Sequence, residues 1–216
     1  MAQLRTIAIC NTVAKIIAKT MAFHLRKVMP TIISDTQSAF MPHRLTTDNI
    51  LLTYEVHHDI KHKKSGKEYF MSIKLDMLKA YDRIGWNFLC IMLIRVGYSS
   101  HWVTLIMNYM ESVTYSLLIF GDQVIYITPG RGLRQGDLLS SYLFIICTKG
   151  LISLLKEACS TGELKGIKLG PSLDPMTHLI FADETLLLGC ATLSETSKFK
   201  SILDTYESWS GQLMNA

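Results

Sequence analysis

Apolar and polar positions alternate in several short stretches of the chain and recur at helical spacing in others. Alternation over residues 69–75 predicts a strand, and two short apolar runs, 177–181 and 185–188, flank a tight turn and predict a β-hairpin. Residues 9–29 and 138–158 are apolar at the spacing of amphipathic or buried helices. Strands and helices alternate without a strict βαβ repeat. The pattern therefore predicts an α+β fold with helices on one face of an antiparallel sheet.

Other signals refine this outline. A second hairpin is predicted over residues 113–128, because Gly121 and Asp122 form a strong turn signal between two apolar runs. A further strand is predicted at 164–169. Pro30 is expected to end the first helix, since proline has no N–H group to continue the hydrogen-bond ladder.

Composition limits the class of protein. The 216 residues are 49% apolar and 19% charged, with a net charge of +4, which predicts a globular domain that tolerates a nucleic-acid partner. The five cysteines contain no C-x-x-C pair, so we expect a reduced, intracellular setting in the nucleus or cytoplasm. No segment is expected to be apolar and long enough to cross a membrane, so no membrane partner is predicted.

The stretch Phe181-Ala182-Asp183-Glu184 is the most informative one in the chain. Two adjacent carboxylates at a hairpin turn repel each other unless a cation binds them, and Mg²⁺ is a common solution. A third carboxylate, Asp76, follows the strand predicted upstream. Carboxylates on neighbouring strands can hold two Mg²⁺ ions for phosphoryl transfer, and that arrangement is typical of nucleic-acid polymerases.

Four blocks of sequence then identify the chain as similar to a known family. They are residues 4–40, LDMLKAYDRIGW at 75–86, RGLRQGDLLSSYLF at 131–144 and HLIFADETLLL at 178–188. In this order they resemble the reverse transcriptase domain of LINE-type, non-LTR retrotransposons, most closely the plant branch.

The resemblance implies a polymerase fold with a fingers-like portion at 1–65, a palm-like portion at 66–216 and no thumb. It also implies two-metal nucleotidyl transfer, with Asp76, Asp183 and residue 184 as ligands of two Mg²⁺ ions. RNA template, DNA primer and deoxynucleoside triphosphates are the implied partners. The family has Asp where this chain has Glu184, and the longer side chain displaces the carboxylate. We therefore expect impaired or absent polymerisation, which Glu184→Asp is expected to restore.

Further residues match the nucleotide-binding positions of the family. Tyr81 stands where the family has the aromatic side chain beneath the nucleotide sugar, although it also fits as a core aromatic. Gln135 and Gly136 match the loop that approaches the incoming base pair. Arg5 matches an arginine that binds the triphosphate. In LLSS, Ser141 replaces the second proline of the PLSP pattern of the family.

Candidate nucleic-acid contacts are basic side chains of the fingers-like portion. Arg44 matches a family arginine with a nucleic-acid or a structural role. Lys61, Lys63 and Lys64 form a basic cluster that fits phosphate binding or, equally, a solvated loop.

Two other functions are open at this stage. The first is a non-catalytic remnant of a retroelement that binds nucleic acid weakly. The second is a secreted effector acting in host cells, because Arg131-Gly132-Leu133-Arg134 spells the RxLR string of such proteins. The string is short and lies in mid-chain, inside one of the four blocks.

Overall fold

A computed structural model describes residues 11–62, 69–120, 122–170 and 173–215 of the chain. The residues preceding Asn11 and the basic loop 63–68 lie outside this description. The elements in chain order are α1 (Thr12–Ile32), α2 (Thr46–His62), β1 (Phe70–Met77), α3 (Ala80–Arg83), α4 (Trp86–Val96), α5 (Ser100–Glu111), β2 (Tyr115–Ile119), β3 (Asp122–Ile127), α6 (Leu138–Ser160), β4 (His178–Phe181), β5 (Glu184–Cys190), α7 (Leu193–Ser210) and β6 (Met214–Asn215).

The principal sheet has four antiparallel strands in the order β4-β5-β1-β6. Its centre is the long pairing of β1 with β5, which runs from Phe70 opposite Cys190 to Asp76 opposite Glu184. β2 and β3 form a separate two-stranded hairpin. The α+β prediction is confirmed.

Both faces of the sheet are covered, because its strands point alternate side chains to opposite sides. One face packs on the main core, which includes α6 and the inward side chains of α1, α4 and α7. The other face packs on α2 through a smaller cluster formed by Val56, Leu179 and Leu188. The prediction of helices on one face is therefore corrected, since α2 covers part of the second face.

Helix α6 is the central element of the core. Its residues from Leu139 to Thr148 are almost all buried, and α1, α4 and α7 pack around it. The helix is long and apolar enough to cross a membrane, and most of its apolar window is buried inside the domain. This corrects the expectation that no segment reaches that length and composition.

Three local predictions differ from the structure. Helix α1 contains Pro30 and ends at Ile32, so the proline does not stop it. Residues 164–169 do not form a strand and contribute one isolated bridge, between Ile167 and Met176. The strand β6, which was not predicted, pairs with the end of β1.

Cys90, Cys147 and Cys159 are free thiols.

Candidate active site

The turn between β4 and β5 consists of two residues. Phe181 pairs with Glu184, which leaves Ala182 and Asp183 as the loop. Ala182 has φ of +54°, in the left-handed region that a non-glycine residue rarely occupies. The predicted hairpin is confirmed, but Glu184 is the first residue of β5 and lies across the ladder from Asp76.

A buried glutamine, Gln37, supports the turn through a hydrogen bond. The side chain of Gln37 is completely buried, and its Oε1 accepts hydrogen bonds from the backbone N–H of Ala39 (3.0 Å) and of Ala182 (3.3 Å). The same segment runs beside β4, where the N–H of Ile180 donates to the carbonyl of Thr36 at 2.9 Å. Sequence reasoning missed Gln37, because a single glutamine in a loop carries no periodic signal of burial.

Asp76 and Asp183 line one open cavity of about 870 Å³, which we call the palm cavity. Its other lining residues are Phe40, Met77, Leu78, Lys79, Ala80, Tyr81, Asp82, Gln135, Gly136, Asp137, Leu138, Ser141 and Ala182. Neither Asp76 nor Asp183 has an ion pair with a described residue. Two unpaired carboxylates at the end of a sheet fit the donor set that a hard divalent cation prefers.

Glu184 is the register partner of Asp76 but does not line the palm cavity. Its carboxylate Oε1 is 3.0 Å from Nζ of Lys74, and both side chains are exposed. The two residues line a different cavity, of about 380 Å³, between the sheet and α2. Within the described residues, no group of three or more His, Cys, Asp or Glu side chains is placed to hold a metal. The structure thus brings two of the three predicted ligands into the palm cavity and leaves Glu184 outside it.

Tyr81 forms part of the wall beside the two aspartates. Its ring stacks on the buried ring of Phe144, with centroids 4.9 Å apart and planes 13° apart. Burial raises the pKa of the Tyr81 phenol, the neighbouring Ser141 hydroxyl lowers it, and the negative charge of Asp183 raises it further. The ring therefore has its flat face against the core and its hydroxyl beside Ser141 and Asp183.

The loop before α6 is fixed to the turn that carries Tyr81. The N–H of Leu133 donates to the Tyr81 carbonyl at 2.6 Å, and the N–H of Gly132 donates to the Ile84 carbonyl at 2.7 Å. Gly132 has φ of +89°, and a Cβ there would lie 2.8 Å from the carbonyl oxygen of Asp82. Only glycine allows this close approach. Within the RxLR string, Leu133 is therefore buried and Arg131 is exposed.

A second polar network anchors the start of α6. The Asp137 carboxylate caps the helix by accepting from the N–H of Leu139 at 3.1 Å. It also accepts from the hydroxyl of Tyr109 at 2.7 Å, and Arg134 donates to that same hydroxyl at 3.1 Å. Sequence reasoning missed Tyr109, which α5 contributes. The network holds the intervening Gln135 and Gly136 at the edge of the palm cavity, where both were predicted.

The predicted basic contacts divide into two groups. Arg5, Lys63 and Lys64 lie outside the described residues, and Lys61 is exposed in the last turn of α2. Their roles stay predictions.

Arg44 is held within its own loop. Its guanidinium donates to the backbone carbonyls of Ser34, Gln37 and Ile33 and pairs with Asp35 at 2.9 Å. These contacts favour the structural alternative for Arg44, because most of its donors already bind the protein. Its nucleic-acid role stays a prediction.

Comparison with known proteins gives a consistent result. The family model described as "Reverse transcriptase (RNA-dependent DNA polymerase)" matches residues 1–214. The chain is 51% identical over 59 residues to an uncharacterized mitochondrial protein of Arabidopsis thaliana, covering 27% of this chain and 48% of that protein. It is 24% identical to the uncharacterized 149 kDa protein of transposon TX1 of Xenopus laevis, over 85% of this chain and 14% of that protein. It is 25% identical to the Pol polyprotein of the type-1 retrotransposable element R2 of Popillia japonica, over 85% of this chain and 24% of that protein.

Solved structures show the same fold. Telomerase of Candida tropicalis, in complex with an RNA fragment, matches with a TM-score of 0.63 and 14% identity over 94% of this chain and 32% of that one. Telomerase of Candida albicans matches with a TM-score of 0.62 and 13% identity, over 93% of this chain and 34% of that one. The matches span half or less of each relative. The chain belongs to the reverse transcriptase family, and it is similar to proteins of transposon TX1 and of the retrotransposable element R2.

Proposed function

We propose that the palm cavity carries out template-directed addition of deoxynucleotides to a DNA primer on an RNA template. The observation that supports this most directly is the pair of unpaired carboxylates, Asp76 and Asp183, in a cavity that Tyr81 and Gln135 also line. In the reaction the primer 3′-hydroxyl loses its proton and bonds to the α-phosphorus, and the bond to pyrophosphate breaks.

Asp76 and Asp183 are the residues that would hold Mg²⁺. The bound ions supply positive charge that offsets the charge on the phosphates in the transition state. The chain's own residues position the reactants. Tyr81 presents its edge where the sugar of a nucleotide would lie, and the Gln135–Gly136 loop borders the base. Gln37 holds the Ala182–Asp183 turn, so the second carboxylate has a fixed place relative to the first.

We assign Glu184 no part in the reaction, because it pairs with Lys74 outside the palm cavity. The expectation that Glu184 impairs the reaction then becomes testable. If Glu184 lies outside the site, shortening its side chain should change the rate of primer extension little. If Glu184 is a misplaced metal ligand, the same shortening should raise the rate strongly.

The experiment is Mg²⁺-dependent primer extension on an RNA template with the purified chain. Asp183→Asn keeps the side-chain volume and removes the charge, and we expect it to reduce extension by roughly a thousandfold or more, as loss of an essential charged group does. Asp122→Asn, in the exposed β2–β3 hairpin, is the matched control and is expected to change nothing.

Glu184→Asp separates the two roles of residue 184. We expect a change of less than about tenfold, since residue 184 does not line the palm cavity. A larger gain would show that Glu184 is a badly placed ligand. A folded chain that extends no primer, either as given or with Glu184→Asp, would contradict catalysis. Binding to an RNA–DNA hybrid would then support the non-catalytic alternative.

A further inference from the structure

A second cavity, of about 540 Å³, lies at the opposite end of the β1–β5 ladder from the palm cavity. Phe70 and Cys190 line it and pair with each other at one end of the ladder, whereas Asp76 and Glu184 pair at the other end. At about 3.3 Å per residue, the ladder from Phe70 to Asp76 is about 20 Å long. The end of α2 and the segment 165–168 complete the walls of this rear cavity, which is therefore separate from the palm cavity.

The charged side chains of the rear cavity are mainly basic. Lys165, Lys168 and His62 line it, and Asp59 is the one carboxylate among its described lining residues. Both lysines are exposed, and no described carboxylate forms an ion pair with Lys168. The Asp59 carboxylate lies 3.7 Å from Nδ1 of His58, on its own helix. The cavity therefore presents more positive than negative charge to solvent.

The two lysines flank a turn that the fold holds in place. Ile167, between them, exchanges two backbone hydrogen bonds of 2.8 Å with Met176. Gly166 has φ of +66°, and a Cβ there would lie 2.8 Å from the Met176 carbonyl oxygen. The N–H of Lys165 donates to Oε1 of the buried Glu195 at 3.3 Å, and the other oxygen of that carboxylate binds the end of β5. The positions of both lysine backbones are thus fixed before any ligand binds, which lowers the cost of binding.

We propose that the rear cavity binds the phosphate backbone of single-stranded RNA, with Lys165 and Lys168 as the contacts to phosphate. Lysine ammonium groups are compact point charges that suit contacts to phosphate without regard to sequence. The two Cα atoms are at most about 11 Å apart, so both side chains reach the same strand. RNA is the polyanion that a member of the reverse transcriptase family meets. The inference goes beyond the proposed function and does not depend on catalysis.

The test is the salt dependence of RNA binding. Fluorescence anisotropy measures the Kd of a labelled polyuridine strand of about 20 nucleotides at several KCl concentrations between about 0.05 and about 0.2 M. The double variant Lys165→Gln with Lys168→Gln removes two phosphate contacts, each of which contributes about 0.7 to the slope of log K against log salt. We expect the slope to fall by about 1.4 and the affinity at about 0.1 M KCl to fall roughly twentyfold.

Two further double variants serve as controls. Lys165→Arg with Lys168→Arg keeps both charges and is expected to keep the Kd within about threefold of the original. Lys15→Gln with Lys19→Gln removes the same charge from exposed positions of α1 and is expected to leave the slope almost unchanged. A general effect of net charge would lower the affinity equally in both glutamine variants.

The outcomes separate this inference from the proposed function. An unchanged slope in Lys165→Gln with Lys168→Gln would overturn the rear site, and so would equal losses in the two glutamine variants. Primer extension by the original chain, together with an unchanged slope, would leave the proposed function standing alone. A chain that shows the expected change of slope but extends no primer would reject the proposed function and keep the rear site.

Discussion

The two β-hairpins of the molecule look alike in sequence and differ in every respect that tertiary structure controls. The β4–β5 hairpin lies in the principal sheet, with most of its residues buried, and β1, α2 and the segment 36–37 support it. The β2–β3 hairpin stands alone, and all the residues of β3 are exposed although four of them are apolar or aromatic. Alternating hydrophobicity alone therefore does not distinguish a site-bearing hairpin from a solvent-exposed one. The segments that pack against each hairpin make the distinction.

The supports of the β4–β5 hairpin come from segments distant in sequence. Asn49 of α2 donates to the Ile180 carbonyl at 3.1 Å, and Thr36 bonds to the imidazole of His178 at 2.8 Å. Gln37 bonds to the turn itself. The hairpin thus owes its geometry to buried polar contacts, and the predictions below test how much each of them contributes.

The largest expected effect is that of Gln37→Ala. The substitution leaves the buried N–H groups of Ala39 and Ala182 without their acceptor, and we expect the free energy of unfolding to fall by about 3 kcal/mol. Gln123→Ala in the β2–β3 hairpin is the matched control. The Gln123 side chain accepts from Tyr126 at an exposed site, so we expect almost no change. Urea denaturation measures both variants, and similar losses would mean that the two hairpins do not differ in this respect.

The next effect is a dependence on pH that originates in β4. Burial, and secondarily the charge of Lys156, lowers the pKa of His178 to about 4. The unfolded chain binds this proton near a pKa of about 6.5, so stability from neutral His178 is complete above that pH and is lost as the pH falls towards 4. Between about pH 7.5 and about pH 5 we expect a loss of about 2 kcal/mol.

Urea denaturation at several pH values checks this prediction. His178→Gln is expected to flatten the pH dependence, and His101→Gln, at an exposed position, is expected to leave it intact. Equal slopes in the original chain and in His178→Gln would show that this histidine does not carry the effect.

A smaller effect is expected at Gly189 of β5. A Cβ there would lie 2.5 Å from Oε2 of Glu195 and 3.0 Å from a ring carbon of Phe199. Glu195 is buried and accepts from the N–H of Cys190 at 2.9 Å, so it cannot move aside freely. We expect Gly189→Ala to lower the free energy of unfolding by about 1–2 kcal/mol through overpacking.

Gly130→Ala is the control for this comparison, since no atom lies within 4 Å of its ideal Cβ. Thermal unfolding of the two variants should separate them by several degrees, and coincident curves would argue that the β5 face has room to relax.

The smallest effect is expected in the β2–β3 hairpin. Ile125 is 46% exposed, and Ile125→Thr replaces one β-branched side chain by another of lower hydrophobicity. We expect a change within about 0.5 kcal/mol, because the substitution alters a surface position without a buried contact. A loss above about 2 kcal/mol in denaturation would mean that this face is covered in solution.

Secondary-structure elements could be predicted from the sequence better than tertiary contacts. The buried helix at 138–158 and the FADE hairpin are observed as α6 and as β4–β5, because their patterns depend on the chain alone. Pro30 was wrongly expected to stop α1, because the helix continues past it to Ile32. Residues 164–169 do not form the predicted strand, because they pair with another segment through a single bridge, between Ile167 and Met176.

The candidate site shows the same limit. The family blocks predicted Asp76, Asp183, Tyr81, Gln135 and Gly136 at positions that line one cavity. They did not predict that Lys74 pairs with Glu184, since these residues are 110 positions apart in sequence and meet only through strand register. They also did not predict that Gln37 bonds to the Ala182 N–H in the turn. Both features are contacts between residues distant in sequence, which a local sequence pattern does not predict.

The position of β1 has a consequence for how the protein is made. This strand lies at the centre of the sheet, and its partners β5 and β6 are synthesised only after the intervening elements α3 to β4. While the ribosome makes the intervening residues, Phe70–Met77 has no strand to pair with and presents open edges to other chains. Sheet formation waits for a contact of high sequence separation, which slows folding. Recovery of soluble protein from a cell should therefore improve when chaperones that cover such edges are more abundant.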